Sequence, residues 1–207
     1  MKKKLFTALP FLTLLWACYP NGPEYVEDAD VVLTTFDETY DFSAKSTFAM
    51  PDKIVVDVEI DEGDTIYEYM ADVFASPILQ TIETNMENLG WTRVAVDNDP
   101  DLLLTPAGIS STTYFYTYWY DWWYGGYWGY GWGWYYPPYY TISSYTTGTM
   151  LMVMSDPNQA SDTPINRSPT VWIAAANGLL TGYYDIGRVT DAIDMSFEQS
   201  PYLKTNE

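Results

Sequence analysis

Apolar and polar residues alternate with a period of two along most of the chain, and two stretches break into a helical period instead. Val31 to Phe36 reads as a strand, with Val31, Leu33 and Thr35 on one face and Val32, Thr34 and Phe36 on the other. A turn at Asp41-Phe42-Ser43 leads to a short strand from Ser46 to Met50, closed by Pro51. From Ile54 to Ile60, Val56, Val58 and Ile60 oppose Asp57, Glu59 and Asp61, the signature of one buried and one solvated face. Glu62-Gly63-Asp64 supplies a turn, and Thr65 to Tyr69 returns as a hairpin.

The first helical stretch is expected to open at Ser76-Pro77, since serine caps an N-terminus well and proline suits the first helical position. Ile78, Leu79, Ile82, Met86 and Leu89 form its apolar stripe, and Gly90 closes it as a left-handed cap. Trp91 to Val96 then reads as a strand running back along the sheet. The second helix starts at Asp185, carries Ile186, Val189, Ile193 and Phe197 on one stripe, and stops at Pro201.

Between the helices lie Leu102 to Ile109, Thr146 to Met154 and Thr170 to Ala176, three largely apolar segments that read as central strands. Pro106 marks a bulge in the first of them. The first and second are neighbours joined by a long aromatic loop. The expected class is α+β: a mostly antiparallel sheet with two helices packed on one face, in a single domain over residues 31–203.

Ahead of the domain, Met1-Lys2-Lys3-Lys4 is a basic start and Leu5 to Trp16 an apolar run of 12 residues. A membrane-spanning helix needs about 20, so residues 1–17 read as a signal peptide. The run ends Leu15-Trp16-Ala17-Cys18, which resembles a bacterial lipobox, and Cys18 is the expected lipidation site. The other reading is an ordinary signal peptide with an incidental cysteine. Residues 18–30, with Pro20, Gly22, Pro23 and four acids, read as a tether. Tyr19 rather than Asp after the cysteine favours the outer membrane, by resemblance to lipoprotein sorting rules.

Composition narrows the chemistry. The chain carries 28 acids against 9 bases, a net charge of −19; losing Lys2, Lys3 and Lys4 leaves six bases and a charge of −22. Such a field repels phosphate backbones, so no nucleic-acid partner is expected. There is one cysteine and no histidine, so no intrachain disulfide forms and the commonest general base and metal ligand are missing. Ser-His-Asp and Cys-His arrangements are excluded, and no phosphate-binding or dinucleotide glycine pattern occurs. Asp97-Asn98-Asp99-Pro100-Asp101 invites a calcium-loop reading, but Leu102 and Gly108 stand where such a loop needs Gly and Glu. It reads instead as a turn whose Asp side chains bond local backbone donors. No cofactor or metal is expected.

Between Tyr114 and Tyr140, 18 of 27 residues are Tyr, Trp or Phe, and Asp121 is the one charge. Trp119, Trp122, Trp123, Trp128, Trp132 and Trp134 are the candidate binding residues. Their flat faces stack on sugars, on apolar protein patches or at the head-group layer of a membrane. Packing of the segment on its own sheet is the alternative, since monomers seldom leave large apolar patches bare.

Several short stretches, in order, resemble a family of bacterial lipoproteins, the domain-of-unknown-function family 4136. They are Asp41-Phe42-Ser43, Thr47-Phe48-Ala49-Met50-Pro51, Leu89-Gly90-Trp91, Asp99-Pro100-Asp101-Leu102-Leu103, Gly148-Thr149, Asp156-Pro157, Val171-Trp172-Ile173-Ala174 and the closing helix with Phe197. The resemblance spans roughly residues 31–201. It implies an α+β domain on a lipid anchor and carries no functional residues over. The expected role is a lipid-anchored, non-enzymatic envelope protein whose aromatic segment binds or scaffolds an envelope protein or glycan. The alternative is a glycan-acting hydrolase using paired carboxylates.

Overall fold

The computed structural model describes residues 31–61, 64–109, 148–159, 170–179 and 185–205. Among these residues lie eight strands: β1 (Val31–Phe36), β2 (Thr47–Ala49), β3 (Val55–Asp61), β4 (Asp64–Tyr69), β5 (Thr92–Arg93), β6 (Leu102–Ile109), β7 (Thr149–Ser155) and β8 (Thr170–Asn177). Two α-helices lie among the same described residues, α1 (Asp72–Asn88) and α2 (Ile186–Glu198). They build one sheet in the order β1-β8-β7-β6-β2-β5, with β3 also on β6 and β4 outside β3.

The sheet is mixed, which corrects the mostly antiparallel expectation. β1, β8, β7 and β6 are antiparallel neighbours, but β2 and β3 both run parallel to β6, and β5 runs parallel to β2. The reason lies in the connection. Between β2 and β5 the chain passes through the β3–β4 hairpin and α1, and a strand that returns after such a crossover arrives parallel. Alternation within a strand reports its faces, not its direction. β2 and β3 lie in series along one edge of β6, at Leu102–Leu103 and at Ala107. Pro106 keeps register with Met152 of β7 and falls between the parts of β6 that pair with β2 and with β3. The bulge expected there does not form.

Both helices cover the same face. Ala75, Ile78, Ile82 and Met86 of α1 and Val189, Ala192, Ile193 and Phe197 of α2 share one core with Leu102, Leu104, Met150, Met152, Met154, Trp172 and Ala174. Trp172 stacks on Phe197 with ring centres 5.5 Å apart, and its Nε1–H donates to Ser200 Oγ at 3.0 Å. The intervening residues Leu103, Leu151, Val153, Ile173 and Ala175 point the other way and are buried too. The near-continuous apolar runs of β6, β7 and β8 match this burial on both faces.

Helix boundaries differ from expectation at one end. α1 begins at Asp72, a turn before Ser76-Pro77, and Ala71 precedes it without a side-chain cap. Pro77 therefore sits inside the helix, where it gives no N–H to Val73, and Val73 is among the most exposed apolar residues. The expected stripe holds: Ile78, Ile82 and Met86 are buried and Leu79 and Leu89 packed against them. Gly90 adopts φ 93°, and Asp185 caps α2 by accepting from the Gly187 N–H. The strand expected over Trp91–Val96 shrinks to Thr92–Arg93, followed by a 3-10 turn at Val96–Asn98. No described helix is long and apolar enough to cross a membrane.

Candidate functional site

Three of the Asp-bearing stretches, far apart in sequence, meet at one end of the sheet. Asp41 caps a 3-10 turn, Phe42–Ala44, by accepting from the Ser43 N–H. This turn delivers Tyr40 and Lys45 to the place where β7 ends. There Asp156, fully buried, accepts from the Tyr40 hydroxyl at 2.7 Å, from Lys45 Nζ at 3.0 Å and from the Asn158 N–H at 2.8 Å. Asn158 in turn donates to the Pro100 carbonyl, tying the end of β7 to the start of β6.

Asp101 does the same for β2. Its carboxylate accepts from the Ser46 N–H, the Thr47 N–H and the Thr47 hydroxyl at 2.9–3.0 Å, and its own N–H donates back to Thr47 Oγ1. These donors lie more than fifty residues away in sequence, not in the local turn the sequence led us to expect. Burial alone would raise the Asp101 carboxyl. The Ser46 and Thr47 donors and the Lys45 charge outweigh it and hold the group below its ordinary value. Tyr40 is shifted upward, by burial first and then by its bond to Asp156 and the surrounding carboxylates, so its hydroxyl stays protonated and donates to Asp156.

Donors converge on Asp101 Oδ2 and on both oxygens of Asp156. Both carboxylates are engaged by donors that lock the ends of β2, β6 and β7; Asp156 is fully buried, while Lys45, at 22% exposure, and Asp101 are partly exposed. Asp99, next to it, takes a left-handed conformation (φ 55°). A second polar feature is an open groove of about 410 Å³ between α1 and β2–β5, lined by Met50, Asp52, Glu83 and Arg93. Arg93 spans it, donating to Glu83 at 2.9 Å, to Asp52 at 2.6 Å and to the Met50 carbonyl. Among the described residues no three His, Cys, Asp or Glu side chains gather as metal ligands.

Cys18 and Trp119, Trp122, Trp123, Trp128, Trp132 and Trp134 lie outside the described residues. Of the acids singled out in the sequence, Asp101 enters the knot and Asp99 flanks it. Tyr40, Lys45, Asp156 and Arg93 were not anticipated as partners. Asp156-Pro157 stands out in the sequence only as one of the family-like stretches; its pairing with Lys45, 111 residues away, is not legible there.

A family model described as a domain of unknown function, DUF4136, matches residues 32–202. The chain is similar to a DUF4136 family protein of Bacteroides thetaiotaomicron, known from its crystal structure, at 30% identity. That match covers 84% of this chain and 97% of the other, with a TM-score of 0.61. A weaker likeness is to PelC dodecamers of Paraburkholderia phytofirmans: 12% identity, 84% of this chain and 99% of the other, TM-score 0.42. No curated protein matches the chain.

Proposed function

The chain belongs to the DUF4136 family, and from that premise we propose that it is a lipid-anchored, non-enzymatic module of the cell envelope that binds or scaffolds through its aromatic segment. One observation carries the reading. The only cysteine of the chain closes an apolar run of signal-peptide length, and 12 residues separate it from Val31, where the folded sheet begins. Lipidation of Cys18 would tether the body to the outer membrane, on its periplasmic side or at the cell surface, since each buried methylene contributes about 0.8 kcal/mol. The polar knot supports a structural rather than catalytic use of its acids, because both oxygens of the buried Asp156 and the Oδ2 of Asp101 already accept from fixed donors. The aromatic residues between Tyr114 and Tyr140 then form the contact surface.

Mass spectrometry of protein extracted from envelopes is expected to find acyl chains on Cys18, and Cys18→Ala to release the body from the membrane fraction. A photo-crosslinker at Trp122 is expected to give discrete adducts in intact cells. Unmodified Cys18 on a soluble wild-type protein refutes the anchor; absence of adducts refutes the contact surface.

A further inference from the structure

β5 is the last strand on its side of the sheet, and β2 is its only neighbour among the described strands. The Thr92 N–H donates to the Ser46 carbonyl and the Val94 N–H to the Phe48 carbonyl, both at 2.8 Å. Successive peptide groups of an extended chain point to opposite sides. The N–H and C=O of Arg93 and the N–H of Ala95 therefore turn away from β2. Among the described residues none of these three groups has a partner. The Ala95 carbonyl is taken, since it accepts from the Asn98 N–H. Ala95 is extended (φ −68°, ψ 152°) and exposed, so the three groups stand in a row on an open edge, ready to template another strand.

The same residues, Arg93 to Val96, line the groove of about 410 Å³, with Glu83 of α1 across from them. A groove between a helix and an unpaired strand edge is the setting in which an extended peptide adds as a strand. Its charge is mostly acidic. Asp52 is exposed and Glu83 partly so, and Arg93 neutralises only one of the two. Glu87 lies one helical turn beyond Glu83 and is exposed, and the exposed Asp97 follows Val96 directly. Lys53, next to Asp52, places its ammonium over the Tyr69 ring, 4.9 Å from the centre. A second copy of the chain fits poorly, because two molecules of charge −19 repel each other.

We propose that this groove takes an extended, lysine- or arginine-bearing peptide segment of another protein, added as a strand along β5. Main-chain bonds to Arg93 and Ala95 set the path of the segment, and its basic side chains meet Asp52 and Glu83. Such binding needs neither the lipid anchor nor the aromatic segment.

The test titrates the full chain in detergent against a fluorescent pentapeptide alternating valine and lysine, read by anisotropy. Salt is held at about 0.15 M, where long-range attraction is screened. The peptide is expected to bind saturably, and its glutamate counterpart not at all. Ala95→Pro removes one edge donor at a φ that proline already prefers, so the fold is expected to stand. It should weaken binding about tenfold, as should N-methylation of the peptide main chain at unchanged charge. Glu83→Gln should weaken binding about threefold. Equal affinity for wild type and Ala95→Pro, or for the plain and N-methylated peptides, means charge attraction alone and overturns the site. No binding of the lysine peptide overturns it outright. Dimerisation of the chain that Ala95→Pro abolishes would give the edge to a second copy and overturn it too. Circular dichroism checks each variant; if Ala95→Pro does not fold, the N-methylated peptide decides.

Discussion

Replacing Lys45 by Met removes the ammonium 3.0 Å from a carboxylate with no exposure to solvent. Breaking a fully buried pair from one side costs about 3–5 kcal/mol, because the surviving charge is stranded. Here Lys45 is 22% exposed, and Asp156 keeps the Tyr40 hydroxyl and the Asn158 N–H. Both facts lower the cost, to roughly 2–3 kcal/mol. In a domain of this size that shifts the melting temperature by about 5–10 °C. Urea titration followed by the emission of the buried Trp91 and Trp172 reads the change, with Asp156→Asn as the second arm of a double-mutant cycle. The amide carries no charge to strand, so the double variant is expected within about 1 kcal/mol of Asp156→Asn alone. A loss under about 0.5 kcal/mol for Lys45→Met, or additive losses in the cycle, would show that Asp156 does not depend on the lysine, refuting the argument.

Gly90→Ala should cost about 2 kcal/mol or more by chemical denaturation, since a side chain is strained at φ 93° and its Cβ would collide with the Thr205 hydroxyl. Asp101 is held below its ordinary value of 3.8, so its contribution is present above that value and lost as pH falls through the lowered one. Stability measured from pH 5 downward should therefore fall more steeply in the wild type than in Asp101→Asn. Arg93→Met should cost no more than about 1 kcal/mol, and less at high salt, because Asp52 is 82% exposed and Glu83 32%. A salt-independent loss would point instead to packing of the arginine stem.

Wherever one residue's character decides its own backbone, the chain by itself was sufficient. The alternation of β1, the apolar runs of β6, β7 and β8, the stripes of both helices, the left-handed Gly90 and the Asp185 cap all stand where their side chains put them. Family membership was legible too, in short stretches kept in order. Tertiary structure decided what depends on distance. The parallel pairing of β2 and β3 with β6 follows from where the crossover through α1 returns the chain, which no local period encodes. α1 gained a turn ahead of Pro77, beyond its local start signal. Above all, Tyr40, Lys45 and Asp156 became one buried cluster only because three strand ends arrive together. A carboxylate in a sequence does not say which cation will neutralise it. That choice is made when folding excludes water and brings one particular cation, Lys45, to the buried carboxylate.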